Sequence, residues 1–317
     1  MSRALVVGID DYSSCPLRCC VRDAEAVAAF LERNDDGSPN FDVKLETSKN
    51  QKYGLTKGKL KETVSGFFEA EDTVSLFYFS GHGFLNEYGG YIATPDYTRY
   101  DEGISMSEIL TVVNKSKAID KIVILDCCHS GDFGRKPDIH PDNVHIGKGV
   151  TILTASGPNE AAMEADGHGV FTNLLLAALN GGAADLRGKI TPGSIYAYID
   201  VAMGAFEQRP SLKSNITKFV PLRTVEPPIP QTTLRKLAEY FETPEKEFPL
   251  DPSFEFTAKE AVPANAAIFQ DLQKCERVGL VVPVGEQFMY YAAMNSKTCK
   301  LTALGKHYWH LAKGHKI

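Results

Sequence analysis

Four short apolar runs, Ala4 to Ile9, Thr73 to Phe79, Lys121 to Asp126 and Val150 to Ala155, are rich in β-branched and aromatic residues and nearly continuous rather than alternating. Runs of this length bounded by turn residues suit strands covered on both faces. Between them the apolar period changes to that of helices. It predicts helices over Asp23 to Arg33, where Ala24, Val27, Ala28 and Leu31 share a face, and over Leu60 to Glu69, Ser105 to Asn114, Val170 to Leu179 and Pro192 to Phe206. Thr191-Pro192 marks the last of these with an N-cap followed by proline at the first helical position. Strands alternating with helices predict an α/β fold, a mostly parallel sheet flanked by helices. The stretch from Gly134 to Gly149 has no period, carries Pro137 and Pro141, and reads as an exposed loop in which Arg135, Lys136 and Lys148 are candidate self-cleavage positions.

The pattern breaks at Val225 to Gln231, where Glu226-Pro227-Pro228-Ile229-Pro230 admits neither a helix nor a central strand. Beyond it, Ala264 to Val278 is helical, Leu280 to Val284 and Phe288 to Ala293 are strand-like, and Thr302 to Lys313 is helical again. The expected organisation is a large domain over 1–225, a linker over 226–263 and a small α+β, winged-helix-like module over 264–317. A chain of 317 residues has the length for one large domain and one small one.

A formal net charge of −6 argues against a protein that coats nucleic acid. The tail differs: Gln287 to Ile317 contains no Asp or Glu and carries Lys297, Lys300, Lys306, Lys313 and Lys316. That suits a recognition module for an activating protein partner, because the acidic residues between Glu226 and Glu260 would oppose phosphates; nucleic acid bound at this module is the alternative. Tyr290, Tyr291, Trp309 and Leu311 read as core rather than as a stacking platform. Seven cysteines, an odd number, do not suggest a disulfide framework. Ala4-Leu5-Val6-Val7 is too short for a signal peptide, and no run reaches the length of a membrane span, so a cytoplasmic protein is expected.

The candidate chemistry sits where two strands end. Ile124-Leu125-Asp126 runs into Cys127-Cys128-His129-Ser130-Gly131, and Phe77-Tyr78-Phe79 runs into Ser80-Gly81-His82-Gly83. Open α/β folds place their sites at such rims. Hydrolysis of a peptide by a thiol needs a nucleophile, a proton carrier for the departing amine and donors for the tetrahedral oxyanion. Cys128 would attack, His82 would carry the proton, and the backbone N–H groups of Gly83 and Cys128 would form the oxyanion hole. Plainer readings exist: buried core cysteines, a structural histidine, or zinc, for which adjacent Cys127, Cys128 and His129 lack converging geometry.

These residues resemble the caspase-like cysteine peptidases of clan CD, peptidase family C14, and within them the metacaspases and prokaryotic caspase homologues. The resemblance rests on Ser80-Gly81-His82-Gly83 and Asp126-Cys127-Cys128-His129-Ser130-Gly131. It extends from Ala4-Leu5-Val6-Val7-Gly8-Ile9-Asp10 and Leu17 to Ala24 through Thr154-Ala155-Ser156, Glu160-Ala161 and Gly169-Val170-Phe171-Thr172 to Gln208-Arg209-Pro210. It implies His82 and Cys128 as the catalytic dyad. Cys127 stands where the family has serine, and alternation along an extended chain points neighbouring thiols to opposite faces.

The resemblance also maps the S1 pocket of metacaspases onto Cys20, Asp23, Ser80 and Asp126, and so implies cleavage after Arg or Lys in a protein or peptide substrate. Two carboxylates in a narrow pocket would pair with a basic P1 group and repel aspartate. Asp23 also reads as a helix cap, and Arg22, where the family favours asparagine, would neutralise it if turned inward. Many metacaspases require calcium, but Phe84 to Asp101 offers only Glu87, Asp96 and Asp101, so no metal or other cofactor is expected. A catalytically silent caspase-like scaffold is the competing reading, and a prokaryotic stress or defence role is expectation by analogy.

Overall fold

The computed structural model describes residues 1–13, 15–48, 54–98, 101–127, 146–155, 164–165, 168–203 and 209–317. Cys128, most of the loop from Gly134 to Gly149, and Gln208 lie outside the described residues. The described chain forms two compact units, one of Met1–Ala184 with Lys189–Glu226, the other of Asp185–Gly188 with Pro227–Ile317.

In the larger unit the order is β1 (Ser2–Gly8), α1 (Cys20–Glu32), β2 (Asp42–Thr47), α2 (Lys57–Glu69), β3 (Val74–Ser80), β4 (Gly83–Asn86), β5 (Gly89–Thr98), β6 (Asp101–Ser105), α3 (Met106–Lys115), β7 (Asp120–Asp126) and β8 (Val150–Thr154). The chain continues through β9 (Glu164–Ala165), β10 (His168–Gly169), α4 (Val170–Ala177), β11 (Lys189–Ile190), α5 (Pro192–Met203), β12 (Ser211–Asn215) and β13 (Arg223–Thr224). A six-stranded sheet in the order β12-β8-β7-β3-β1-β2 forms the centre. All its pairs are parallel except β12 with β8. The fold is α/β, a mostly parallel sheet flanked by helices, as the alternation of apolar runs predicts.

Successive residues of each strand point to opposite faces, and both faces are buried. Val6, Leu76, Tyr78, Ile122 and Ile124 pack with Val27 and Leu31 of α1, Phe171 and Leu175 of α4, and Ile195 and Ile199 of α5. Leu5, Val7, Phe77, Phe79, Val123 and Leu125 pack with Leu60, Val64 and Phe68 of α2 and with Ile109 and Val113 of α3. The near-continuous apolar runs are therefore the signature of a sheet with two covered faces. The edge strands β2 and β12 were not legible in the same way, because each has one face or edge open and carries polar residues such as Asp42, Lys44, Ser211 and Ser214.

Helix α1 begins at Cys20, three residues earlier than the period alone indicates. Asp10, just beyond β1, accepts from the backbone N–H of Cys20 at 2.9 Å and of Val21 at 3.4 Å, and so caps the helix from a distant loop. Asp23 is thus inside the first turn and is not the cap. Gly8 lets β1 meet this helix: a Cβ there would lie 2.4 Å from the Cys20 carbonyl oxygen and 2.7 Å from the Ala24 Cβ. Gly8→Ala should therefore destabilise the larger unit by about 1–3 kcal/mol, the usual cost of overpacking, measurable by urea denaturation; an unchanged midpoint would count against this contact.

The smaller unit contains α6 (Gln231–Tyr240), β14 (Phe248–Pro249), a 3-10 turn at Pro252–Phe254, α7 (Pro263–Arg277), β15 (Val281–Val284), α8 (Met289–Met294), β16 (Thr298–Leu301) and α9 (Ala303–Lys313). Its strands form an antiparallel sheet in the order β14-β16-β15. Two expectations require correction. The segment 226–263 is not a linker, since Leu234, Leu237, Phe241, Leu250 and Phe254 within it are part of the unit's core. Phe288 to Ala293 is not a strand: Met289, Ala292 and Ala293 are buried at helical spacing while Phe288, Tyr290 and Tyr291 are exposed. The strand that pairs with β15 is instead β16, whose Cys299 and Leu301 alternate inward. Trp309 is core, as expected, and its indole N–H donates to the Phe241 carbonyl at 2.8 Å. Tyr290 and Tyr291 are not core.

Among the described residues, no helix is long and apolar enough to cross a membrane.

Candidate active site

Three neighbouring strands end in register, with Gly8 of β1 opposite Ser80 of β3 and Ser80 opposite Asp126 of β7. The backbone N–H of Gly81 continues the ladder by donating to the Asp126 carbonyl at 3.3 Å. His82 and Cys127 consequently leave one rim of the sheet from adjacent strands. Cys127, the residue after β7, is 1% exposed and packs with the α2 and α3 face of the core. It continues the series Val123, Leu125, Cys127, whereas Asp126 lies on the other face of the strand, near Thr172 and Tyr78.

His82 is half-buried and held at three points. Its backbone N–H donates to the Tyr12 hydroxyl at 2.9 Å, its carbonyl accepts from Ala93 N at 2.8 Å, and its Nε2 lies 2.7 Å from the Cys15 carbonyl oxygen. The ring also packs on Tyr12, with centroids 4.5 Å apart. A carbonyl oxygen can only accept, so Nε2 carries the hydrogen. In the neutral ring Nδ1 is then left with the lone pair of a base. Tyr12 was not evident from the sequence, because a tyrosine in a loop carries no motif. Its position explains Gly81, where a Cβ would lie 2.5 Å from the Tyr12 hydroxyl. Gly83 opens β4 opposite Ile92 of β5 and is buried.

The four residues mapped to the S1 pocket are all buried and are brought together around the same rim. Cys20 hydrogen-bonds Ser80, and burial pushes its thiol well up, so it is a poor thiolate. Asp23 is engaged by His168 through Nδ1 to Oδ1 and by the Gly169 N–H to Oδ2 at 3.2 Å. Burial raises the Asp23 carboxyl above its ordinary value, against the lowering pull of these two donors. Asp126 accepts from the Thr172 hydroxyl at 2.5 Å, and Thr172 Oγ1 is 2.6 Å from the Tyr78 hydroxyl. With Asp126 ionised and Thr172 donating to it, Tyr78 must donate to Thr172. Burial, helped by the Asp23 charge and opposed by the Thr172 hydrogen bond, pushes Asp126 up to about 6.

Gly169 lies against both carboxylates. A Cβ at that position would stand 2.8 Å from Asp126 Oδ2 and 3.5 Å from Asp23 Oδ2. Arg22 is exposed and its guanidinium reaches Cys19 Sγ at 3.8 Å, so it has not turned in as Asp23's partner. That partner is His168, and neither it, Thr172 nor Tyr78 was singled out by residue type. Thr172 and Gly169 lie in a sequence run that the resemblance includes, which was the available signal.

Two of the three carboxylates between the two motifs are otherwise engaged. Asp96 accepts from the backbone N–H of Lys57 at 2.9 Å and 3.2 Å, Asp101 pairs with the Lys57 ammonium, and Glu87 is exposed. Among the described residues no group of three or more His, Cys, Asp or Glu side chains could hold a metal ion.

Comparison with known proteins agrees with this architecture. A protein from Geobacter sulfurreducens of known crystal structure is 17% identical, with a TM-score of 0.51 over 71% of this chain and 99% of its own. Caspase-1 from Spodoptera frugiperda is 13% identical, with a TM-score of 0.50 over 71% of this chain and 90% of its own. At such identities the likeness is one of fold. A search of curated proteins finds no match. The model of the caspase domain, peptidase family C14, matches residues 1–221, well over half of the sequence and all of the six-stranded sheet: this chain belongs to the caspase-domain family.

Proposed function

We propose that the protein is a cysteine endopeptidase that cleaves after Arg or Lys, with His82 and Cys128 as its dyad. The observation that carries this reading is the pair of buried carboxylates, Asp126 at the end of β7 and Asp23 in the first turn of α1, both lying against Gly169. A basic P1 side chain would be drawn to them, and an acidic one would meet two like charges in a desolvated site.

In this reading Nδ1 of His82 takes the Cys128 proton, since Nε2 is committed to the Cys15 carbonyl. The thiolate adds to the scissile carbonyl, and the N–H groups of Gly83 and Cys128 receive the oxyanion. The His82 imidazolium then protonates the leaving amine, and water releases the acyl group from the thioester. Buried Cys20 and Cys127 are unsuited to attack. The smaller unit would bind an activating protein partner. Its exposed Phe288, Tyr290 and Tyr291 are consistent with recognition there, and the family assignment stops short of it.

A panel of fluorogenic peptides differing only at P1 tests the reading. Arg and Lys peptides should be cut and Asp peptides left intact; equal or faster cleavage after Asp would overturn it. An active-site titration with a thiol-directed reagent separates a peptidase from a silent scaffold.

A further inference from the structure

The acidic pocket is already occupied in part by a side chain of this protein. His168, in the short strand β10, presents Nδ1 to Asp23 Oδ1, while the following N–H of Gly169 holds Oδ2. Asp23 is 1% exposed and His168 is 22% exposed, so the carboxylate is buried while the imidazole keeps access to water. Both oxygens of Asp23 thus have a donor, and a guanidinium or ammonium arriving from a substrate competes with at least one of them.

We propose that His168 is a specificity-determining residue: it acts as an internal donor to Asp23 in the acidic pocket, so that a basic P1 side chain binds by displacing it. The proposal rests on the reading of Asp23 and Asp126 as the P1-binding carboxylates. The charged and titratable groups around His168 fit it. Among the described side chains, helix α1 supplies Asp23, the Cys20 thiol and exposed Arg22; β7 supplies Asp126; β3 supplies Tyr78; and α4 contributes no charged residue.

Selectivity between the two basic residues follows. A guanidinium offers a two-pronged donor fork that can replace the His168 N–H and reach Asp126 as well, whereas an ammonium is a point charge. The competitor therefore penalises P1 Lys more than P1 Arg.

The test uses the full-length protein, P1 Arg and P1 Lys peptides, and the variants His168→Ala and His168→Gln. At one fixed pH both variants should lower KM for the Arg peptide by about three- to tenfold, with little change in kcat, because the imidazole that competes for Asp23 is lost. The preference for Arg over Lys should shrink. A KM unchanged in both variants, or raised by either, would overturn the proposal. Should His168→Ala fail to fold, His168→Gln decides alone. If the wild type cuts after Asp and not after Arg or Lys, the pocket reading itself falls, which is a different result from an unchanged KM on basic peptides.

Discussion

Replacing either His82 or Cys128 by alanine should abolish peptide hydrolysis, and replacing both should be little worse than either alone. A nucleophile and its base act as one unit, so removing the second member has little left to remove; losses of about 10⁴-fold or more in kcat are usual for such pairs. Cys127→Ser should keep most of the activity. Cys127 is buried against Leu125 and the α2 and α3 face of the core, so its change costs packing rather than chemistry. The measurement is turnover of an Arg peptide beside a thermal melt of each variant. An active Cys128→Ala paired with a dead but folded Cys127→Ser would reverse the assignment of the nucleophile. The orientation of His82 supports its expected role: Tyr12, Ala93 and Cys15 hold it from three directions without using Nδ1.

The second large effect is expected at Asp126, where function and stability should move in opposite directions. Asp126→Asn should raise the barrier for cleavage after Arg by about 2–5 kcal/mol, the usual cost when one partner of a desolvated charge pair is lost. In the wild type, the same cleavage should weaken as pH drops through about 6, where Asp126 becomes protonated.

Stability runs the other way. The folded-state pKa of Asp126 is raised above the ordinary value of 3.8, so the folded protein holds this proton more tightly than the unfolded chain. That contribution is fully present below the unfolded value and is lost as pH rises through about 6. At pH 8 the aspartate is a buried charge without a substrate cation, and Asn, which can still accept from Thr172, should make the protein more stable by about 2 kcal/mol. A variant at once less stable at pH 8 and fully active on Arg peptides would show that Asp126 is neither strained by burial nor used by substrate.

Where a signal was carried by local pattern, the sequence was sufficient. The four central strands, the helices that cover them and the smaller unit's long helices follow from apolar runs and helical periods. These patterns survive because each element buries most of one face or both against a neighbour. The short motifs after β3 and β7 identified the chemistry, since a histidine or thiol at the end of a buried strand is delivered to the rim regardless of the rest of the fold. Where the local pattern was shared by two structures, it misled. Phe288 to Met294 contains enough aromatic residues to resemble a strand, and only the burial of Met289, Ala292 and Ala293 selects the helix. The proline-rich start of 226–263 hid a helix, α6, that begins directly after Pro230.

By itself the sequence determined the α/β class, the order of the central elements, the family and the residues His82, Asp23 and Asp126 as candidates, because residue type and spacing encode them. Only the tertiary structure decided how those residues are held. Strand register aligns Gly8, Ser80 and Asp126. Tyr12 reaches His82 across 70 residues, Asp10 caps α1 from the end of β1, and His168 meets Asp23 across 145 residues. Contacts at such separations leave no local period or spacing in the chain. They arise when burial of the two sheet faces brings the loops at one rim together, and the polar groups trapped there must then find partners.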